Sequence, residues 1–258
     1  MEVVEYLARW GHYVFGITWI GLLYYFNLIQ GGYMAAASNE AKVDAFTKLV
    51  PNALWYFRWG AMLTFLTGLV LLEAVWRSGR LGIDITVGAT MGTLMFLNVW
   101  LIIWPNQKIV IASNEAVAAG GEADPGQAGA AATALLASRT NTLFSLPMLF
   151  FMGSSFHFQQ GPGLLDNLSA PGLIVAMIIV LALEANAIWG KLSVITTVKG
   201  VIHSSLILTA ILWAAVRLPT RNSVRHSKCR ERPCPRARRR RSLASHPRLR
   251  HIWRRWFH

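Results

Sequence analysis

Three histidines lie in apolar stretches of the chain, where ionisable side chains are rare: His12, His157 and His203. Burying such a group in a bilayer is costly, by about 2.5 kcal/mol or more, so each is a candidate functional residue. Gly16 and Gly200 each lie one helical turn from a histidine, which would let a flat macrocycle approach the backbone. The pattern predicts a haem b site with His12 and either His157 or His203 as iron ligands. A hydrogen-bonding core histidine or a proton relay is the alternative.

A dense polar cluster, Trp104-Pro-Asn-Gln-Lys108, follows the third apolar stretch. We expect Pro105 to end the helix there, because proline has no amide hydrogen and clashes with the preceding turn. Asn106, Gln107 and Lys108 would then offer hydrogen-bond donors to an anionic or heterocyclic ligand, and we predict that they contact the substrate. A helix end with a cytoplasmic anchor is the alternative.

Glu184 and Asn186 are two further polar residues inside an apolar stretch. For both we favour an interhelical hydrogen bond over a catalytic role. The sequence contains no P-loop, no dinucleotide-binding fingerprint, no HExxH motif and no Cys-x-x-Cys-His haem c motif. Enzymes that depend on those motifs are therefore excluded.

Six apolar stretches are long enough to hold these residues inside a membrane. A hydrocarbon core of about 30 Å needs roughly 20 apolar residues in a helix. The composition agrees, with 54% hydrophobic and 14% charged residues. We therefore predict an all-α, polytopic transmembrane helix bundle over residues 1–216. Its six spans are about Trp10–Ile29, Phe57–Val75, Ile85–Trp104, Leu143–Phe158, Gly172–Trp189 and Val198–Val216.

The basic residues between these spans are distributed unequally over the two membrane faces. Three of them, Arg9, Arg77 and Arg80, lie on the face of the N-terminus, whereas seven lie on the opposite face. Under the positive-inside rule the N-terminus is outside the cytoplasm. We expect a multi-pass membrane protein whose N-terminus lies outside the cytoplasm.

The C-terminal segment, residues 217–258, differs in composition from everything before it. Residues 1–216 hold 10 Lys/Arg and 11 Asp/Glu, whereas 217–258 hold 15 and 1, so the net charge of +13 belongs to the tail. We expect this arginine-rich tail to be disordered, because it has no apolar periodicity. On the predicted topology it emerges on the outer face, where nucleic acid is absent, so nucleic acid is excluded as a partner.

Four motifs, in order along residues 1–216, resemble the membrane domain of the bacterial membrane-bound urate hydroxylases. They are RWGHYVFGITWIGLLYYFN, NALWYFRWGAMLTFLTG, MFLNVWLIIWPNQK and ASRTNTLFSLPMLFFMGSSFHF. In that family a multi-span N-terminal domain precedes a cytochrome c domain, and urate is oxidised to 5-hydroxyisourate with electrons passed to cytochrome. The resemblance implies an oxidoreductase of purine catabolism, with urate as substrate and cytochrome c as electron acceptor. It also implies a protein of the bacterial inner membrane, and the charge count then makes the N-terminus periplasmic.

The tail departs from that family where the cytochrome c domain would begin. It lacks Cys-x-x-Cys-His, and its composition is what GC-rich DNA translated in a wrong frame would give. We therefore expect the domain to be truncated there. Three alternatives stay open. The His12 motif also resembles the membrane protoporphyrinogen oxidases, over one helix. The chain could also be a haem b-binding electron carrier or anchor without its own catalysis, or a haem-free transporter.

Overall fold

A computed structural model of the protein describes residues 2–158 and 171–217, and the regular elements in these ranges are all helices. The predicted all-α class is confirmed. The tail beyond Arg217 lies outside the described residues. The α-helices are α1 (Glu2–Tyr24), α2 (Gly31–Ala36), α3 (Asn39–Asp44), α4 (Val50–Arg77), α5 (Ile83–Leu97), α6 (Trp104–Ala118), α7 (Gln127–His157), α8 (Pro171–Trp189) and α9 (Val198–Val216), with π-helical segments π1 (Tyr25–Gln30), π2 (Ala45–Leu49) and π3 (Asn98–Ile103), and a 3-10 turn at Ser193–Ile195.

The π-helical segments join neighbouring α-helices into three long rods. These rods run over Glu2–Ala36, Asn39–Arg77 and Ile83–Ala118. Together with α8 and α9 they are the five helices of the described ranges that are long and apolar enough to cross a membrane. The predicted fourth span is the second half of α7, a helix of 31 residues with a run of polar side chains in its middle. The chain has the helices that a multi-pass membrane protein requires.

The helix does not end at Pro105, so that expectation is wrong. Pro105 lies in the first turn of α6, directly after π3. A π-helical turn bonds each amide to a carbonyl one residue further back than an α-helix does. The junction between the two patterns therefore accommodates a residue that has no amide hydrogen. As a result, the polar cluster after Pro105 projects from a continuous helix.

Helix α7 is the centre of the bundle. It packs along α5, α6 and α9 and also contacts α1 and α8. Phe144 and Phe151 of α7 are fully buried in these contacts. Gly88 lets α5 approach closely, because a Cβ at that position would lie 3.1 Å from the amide nitrogen of Met152. Polar side chains on α7 are therefore surrounded largely by other helices.

A cluster around Asp84 marks one end of the bundle, which we call the Asp84 end. Asp84 Oδ2 accepts a hydrogen bond from Ser154 Oγ at 2.9 Å and pairs with Arg217 Nη2 at 3.0 Å. This cluster joins the start of α5 to the ends of α7 and α9. The opposite end carries the turns at residues 37–38, 119–126 and 190–197, and we call it the loop end.

Candidate functional site

His12 lies on α1, where this helix packs against α4 towards the Asp84 end. Its Nδ1 is 3.0 Å from the carbonyl oxygen of Thr64 and 3.2 Å from Thr67 Oγ1. A carbonyl oxygen can only accept, so Nδ1 carries the hydrogen and the lone pair is on Nε2. Metal-ligating histidines commonly have this arrangement, in which one ring nitrogen donates to a backbone oxygen and the other binds the metal. The donor chemistry of His12 therefore fits an iron ligand.

The glycines beside two of the histidines face the protein's own helices. A Cβ on Gly16 would lie 3.9 Å from Thr64 Cγ2, and a Cβ on Gly200 would collide with the carbonyl oxygen of Val194. At Gly200 the absent side chain therefore serves close packing, whereas at Gly16 a Cβ would make only an ordinary van der Waals contact. Gly200 therefore offers no slot for a macrocycle beside His203, whereas the slot at Gly16 beside His12 stays a prediction.

The other two predicted ligands, His157 and His203, are exposed. His157 ends α7 and lies edge-on to Phe156, with 5.8 Å between ring centres. Across residues 2–158 and 171–217, no hydrogen bond or ring contact joins any two of the three histidines. The same ranges contain no group of three His, Cys, Asp or Glu residues that could hold a metal ion. The pairing of His12 with a second histidine stays a prediction.

The three predicted substrate contacts have different surroundings. Asn106 donates from Nδ2 to the carbonyl of Ile102 at 2.8 Å, within its own helix. Lys108 is exposed, and its Nζ lies 5.8 Å from the centre of the Trp104 ring. Gln107 has a buried Oε1 without a hydrogen-bond partner among the described residues. Of the three, Gln107 is therefore the residue with a buried oxygen that can still accept a hydrogen bond from a ligand.

Arg58 on α4 places a second cation against Trp104. Its guanidinium carbon lies 3.8 Å from the ring centre, and its buried Nε has no partner in the described part of the chain. The neighbouring Trp59 packs edge-on against Trp100 at 5.7 Å, and the indole Nε1 of Trp100 is likewise buried without a partner. Guanidinium and indole groups only donate. This side of the bundle therefore offers donors to the acceptor atoms of a ligand.

A buried carboxyl group, Glu184 on α8, lies among the helices and is 8% exposed. Asn98 donates from Nδ2 to Glu184 Oε2 at 3.2 Å and to Asn141 Oδ1 at 2.9 Å. The expected interhelical hydrogen bond of Glu184 is confirmed. The same expectation for Asn186 is wrong, because Asn186 is exposed near the end of α8 and bonds to the backbone of the following turn.

Three residues with buried polar atoms were not expected from the sequence: Asn27, Gln30 and Arg139. Arg139 on α7 is 8% exposed, and its Nε and Nη1 have no partner among the described residues. Asn27 on π1 donates from Nδ2 to Ser138 Oγ at 2.7 Å, whereas its Oδ1 and the Oε1 of Gln30 are buried without partners there. The available signal was the polar run at 138–142, which lies just before the predicted fourth span.

These groups lie between the middle of the bundle and its loop end, spread over several helical turns, since Asn98 and Gln107 belong to the same rod. Asn27 donates a hydrogen bond to Ser138, so Arg139, the next residue on α7, is at a similar height to Asn27. The Asn98–Asn141 bond joins antiparallel helices, so Trp100 and Arg139 are also at similar heights, given a rise of about 1.5 Å per residue. We call this part of the bundle the polar layer. It comprises Asn27, Gln30, Arg58, Asn98, Trp100, Gln107, Arg139, Asn141 and Glu184.

Comparison with known protein families gives one match over the central and C-terminal parts of the bundle. A family model described as urate oxidase N-terminal matches residues 78–215, which is more than half of the 258 residues. The match includes α5 to α9 and most of the polar layer. Comparisons with curated proteins and with solved structures found no match. The chain belongs to the urate oxidase N-terminal family.

Proposed function

We propose that this chain binds urate within the membrane bundle and oxidises it to 5-hydroxyisourate, with cytochrome c as the electron acceptor. Membership of the urate oxidase N-terminal family supports a urate-related oxidoreductase. The observation that carries the proposal is the polar layer, in which buried cationic and amide groups lack partners in the described part of the chain. Urate is a planar monoanion at neutral pH with carbonyl and N–H groups, and it complements such a set of side chains.

The proposed reaction uses water as the oxygen source. The urate monoanion and one water molecule give 5-hydroxyisourate, one proton and two electrons. A bond forms between the water oxygen and C5 of the purine, and a proton leaves the water. The two electrons reduce two equivalents of cytochrome c. The protein's tasks are therefore to bind the anion, to admit one water molecule and to accept or release a proton.

Haem b is the cofactor we propose for this chain. His12 is the residue that would hold its iron through Nε2, because Nδ1 already donates to the Thr64 carbonyl. His157 or His203 is the proposed second ligand. Haem supplies a one-electron acceptor when bound. Thr64 and Thr67 fix the orientation of the His12 ring through contacts of 3.0 and 3.2 Å.

We further propose that the protein lies in the bacterial inner membrane with the Asp84 end towards the periplasm. The lysines at and beside the loop-end turns, Lys42, Lys48, Lys191 and Lys199, are the basis for this orientation, whereas Arg139 is buried in the bundle and does not contribute. His12 is then close to the face on which a periplasmic cytochrome c would dock. The polar layer is closer to the cytoplasm.

Urate should reduce the haem of membranes that contain this chain, in the absence of oxygen. The measurement is the haem absorption spectrum before and after anaerobic addition of urate, with formation of 5-hydroxyisourate followed in parallel when cytochrome c is supplied. His12→Ala should lose the haem band. His157→Ala and His203→Ala, compared with each other, should identify the second ligand by loss of the band in one variant.

Two results would contradict the proposal. Haem that is present but not reduced by urate would favour an electron carrier or anchor without its own catalysis. Membranes without any haem band would instead refute the cofactor assignment at His12.

A further inference from the structure

Within the described ranges, Arg139 is a buried cation without an ion-pair partner. It is 8% exposed in the middle of α7, and it forms no ion pair or hydrogen bond with the residues the structure describes. A guanidinium group removed from water is costly unless an opposite charge lies beside it. Water molecules could satisfy its N–H groups but would leave the charge uncompensated. An anion satisfies both requirements.

Arg58, the other cation of the polar layer, is in a different situation. Its guanidinium group stacks on Trp104, with 3.8 Å between the guanidinium carbon and the ring centre. The negative face of the indole ring partly compensates its charge. Arg139 has no such aromatic contact in the described ranges. Of the two, Arg139 therefore has the stronger requirement for an anion.

Two hydrogen-bond acceptors without partners in the described chain lie on π1, which is hydrogen-bonded to the residue before Arg139. Asn27 Nδ2 donates to Ser138 Oγ at 2.7 Å, and Ser138 directly precedes Arg139. The Oδ1 of Asn27 and the Oε1 of Gln30 are buried without partners in the described chain. Asn27 and Gln30 both lie in π1, the short segment that contacts α7. Amide oxygens only accept, so they require N–H or O–H donors.

We propose that π1 and α7 together form the binding site for an N-heterocyclic anion, in which Arg139 binds the negative charge and Asn27 and Gln30 accept hydrogen bonds from ring N–H groups. This inference rests on the proposed function and assigns urate to this part of the polar layer. Carboxylates and phosphates match Arg139 but have no N–H groups for the two amide oxygens. Neutral amides match Asn27 and Gln30 but carry no charge for Arg139.

Equilibrium binding of radiolabelled urate to the purified full-length chain in detergent tests this site. The measurement is made without an electron acceptor, so that binding is separated from oxidation. Arg139→Gln should weaken urate binding at least thirtyfold, because a hydrogen-bonded charge partner is removed from a buried site. The urate affinity of Arg139→Lys should lie between that of the wild type and that of Arg139→Gln. Arg9→Gln is the matched control, since Arg9 is exposed and paired with Glu5. This variant should bind urate with the affinity of the wild type.

Competition by two small molecules tests the chemical class of the ligand. Benzoate, an anion without N–H groups, should displace urate only at much higher concentration. Allantoin, which has carbonyl and N–H groups but is neutral, should not displace it. Benzoate that competes as well as urate would overturn the roles of Asn27 and Gln30. Allantoin that competes as well as urate would overturn the role of Arg139.

Thermal unfolding separates a binding role of Arg139 from a structural one. Without urate, Arg139→Gln should unfold at the same or a higher temperature than the wild type, because an uncompensated buried charge has been removed. Urate should raise the Tm of the wild type and leave that of the variant unchanged. A lower Tm for the variant together with wild-type urate affinity would overturn the inference.

The proposed function can fail separately. Urate that binds in an Arg139-dependent manner but is never oxidised would refute the oxidoreductase proposal and retain this site. If the wild type oxidises urate and Arg139→Gln does so with an unchanged KM, the oxidoreductase proposal is retained and the Arg139 site is refuted.

Discussion

Replacing Asn141 by alanine should destabilise the bundle measurably, because this side chain connects α7 to the rod formed by α5 and π3. Asn141 is fully buried. Its Oδ1 accepts from Asn98 at 2.9 Å, and its Nδ2 donates to the carbonyl of Met95 at 2.9 Å. Asn98 retains its bond to Glu184 in the variant, so one carboxyl group stays partnered.

The expected magnitude follows from the two lost hydrogen bonds and the space left by the side chain. Interhelical hydrogen bonds in membrane proteins contribute about 0.6 kcal/mol on average and at most about 1.7. A small cavity in a packed core adds roughly 1 kcal/mol. We therefore expect Asn141→Ala to lower the free energy of unfolding by about 2 to 3 kcal/mol.

Equilibrium unfolding in mixed micelles, followed by circular dichroism, measures this difference. Asn52→Ala is the control, because Asn52 is exposed and its side chain bonds only within its own helix, to the carbonyl of Lys48 at 3.2 Å. The control should change stability by less than about 0.5 kcal/mol. If Asn141→Ala falls within the same limit, the Asn98–Asn141–Glu184 network does not hold the helices together and the reasoning is refuted.

Further predictions concern helix packing and the Asp84 end. Gly172→Ala should lower the free energy of unfolding by about 1 to 3 kcal/mol, since the added Cβ collides with the carbonyl of Ala215. Gly153→Ala is the control, because a Cβ there meets nothing within 4 Å, and it should be neutral or slightly stabilising in the same unfolding assay. Arg217→Ala should lower the free energy of unfolding by about 1 to 2 kcal/mol, because Asp84 is left buried with Ser154 as a partner. A loss below about 0.3 kcal/mol in the same assay would show that solvent screens the ion pair.

The fold class could be predicted because local composition decides it. A stretch of roughly 20 apolar residues has few stable alternatives to a membrane helix, and the helices appear where those stretches are. The continuity of the helix across Pro105 could not be predicted in this way. A π-helical turn depends on a shift of hydrogen-bond partners by one residue, and no periodicity in the sequence of π3 indicates that shift.

The candidate site was predicted in part. Gln107 and Glu184 were recognised because they are polar residues in or next to apolar stretches. Arg139 was not recognised, because the predicted fourth span begins at Leu143 and leaves Arg139 among the loop charges. Helix α7 begins at Gln127 instead, which moves Arg139 into the interior of the bundle. Burial of a charged residue at a span boundary depends on which helices surround it, and that information is in the tertiary contacts.

The three π-helical segments have a consequence for insertions and deletions. An α-helix turns by about 100° per residue, so adding or removing one residue inside α5 or α6 would rotate the faces on either side out of alignment. Removing one residue from π3 has a different effect, since it converts the wide turn into an α-helical turn and lets both flanking faces keep their neighbours. Of positions 83–118, we therefore expect 98–103 to tolerate the removal of one residue best, although Asn98 and Trp100 of the polar layer lie within them.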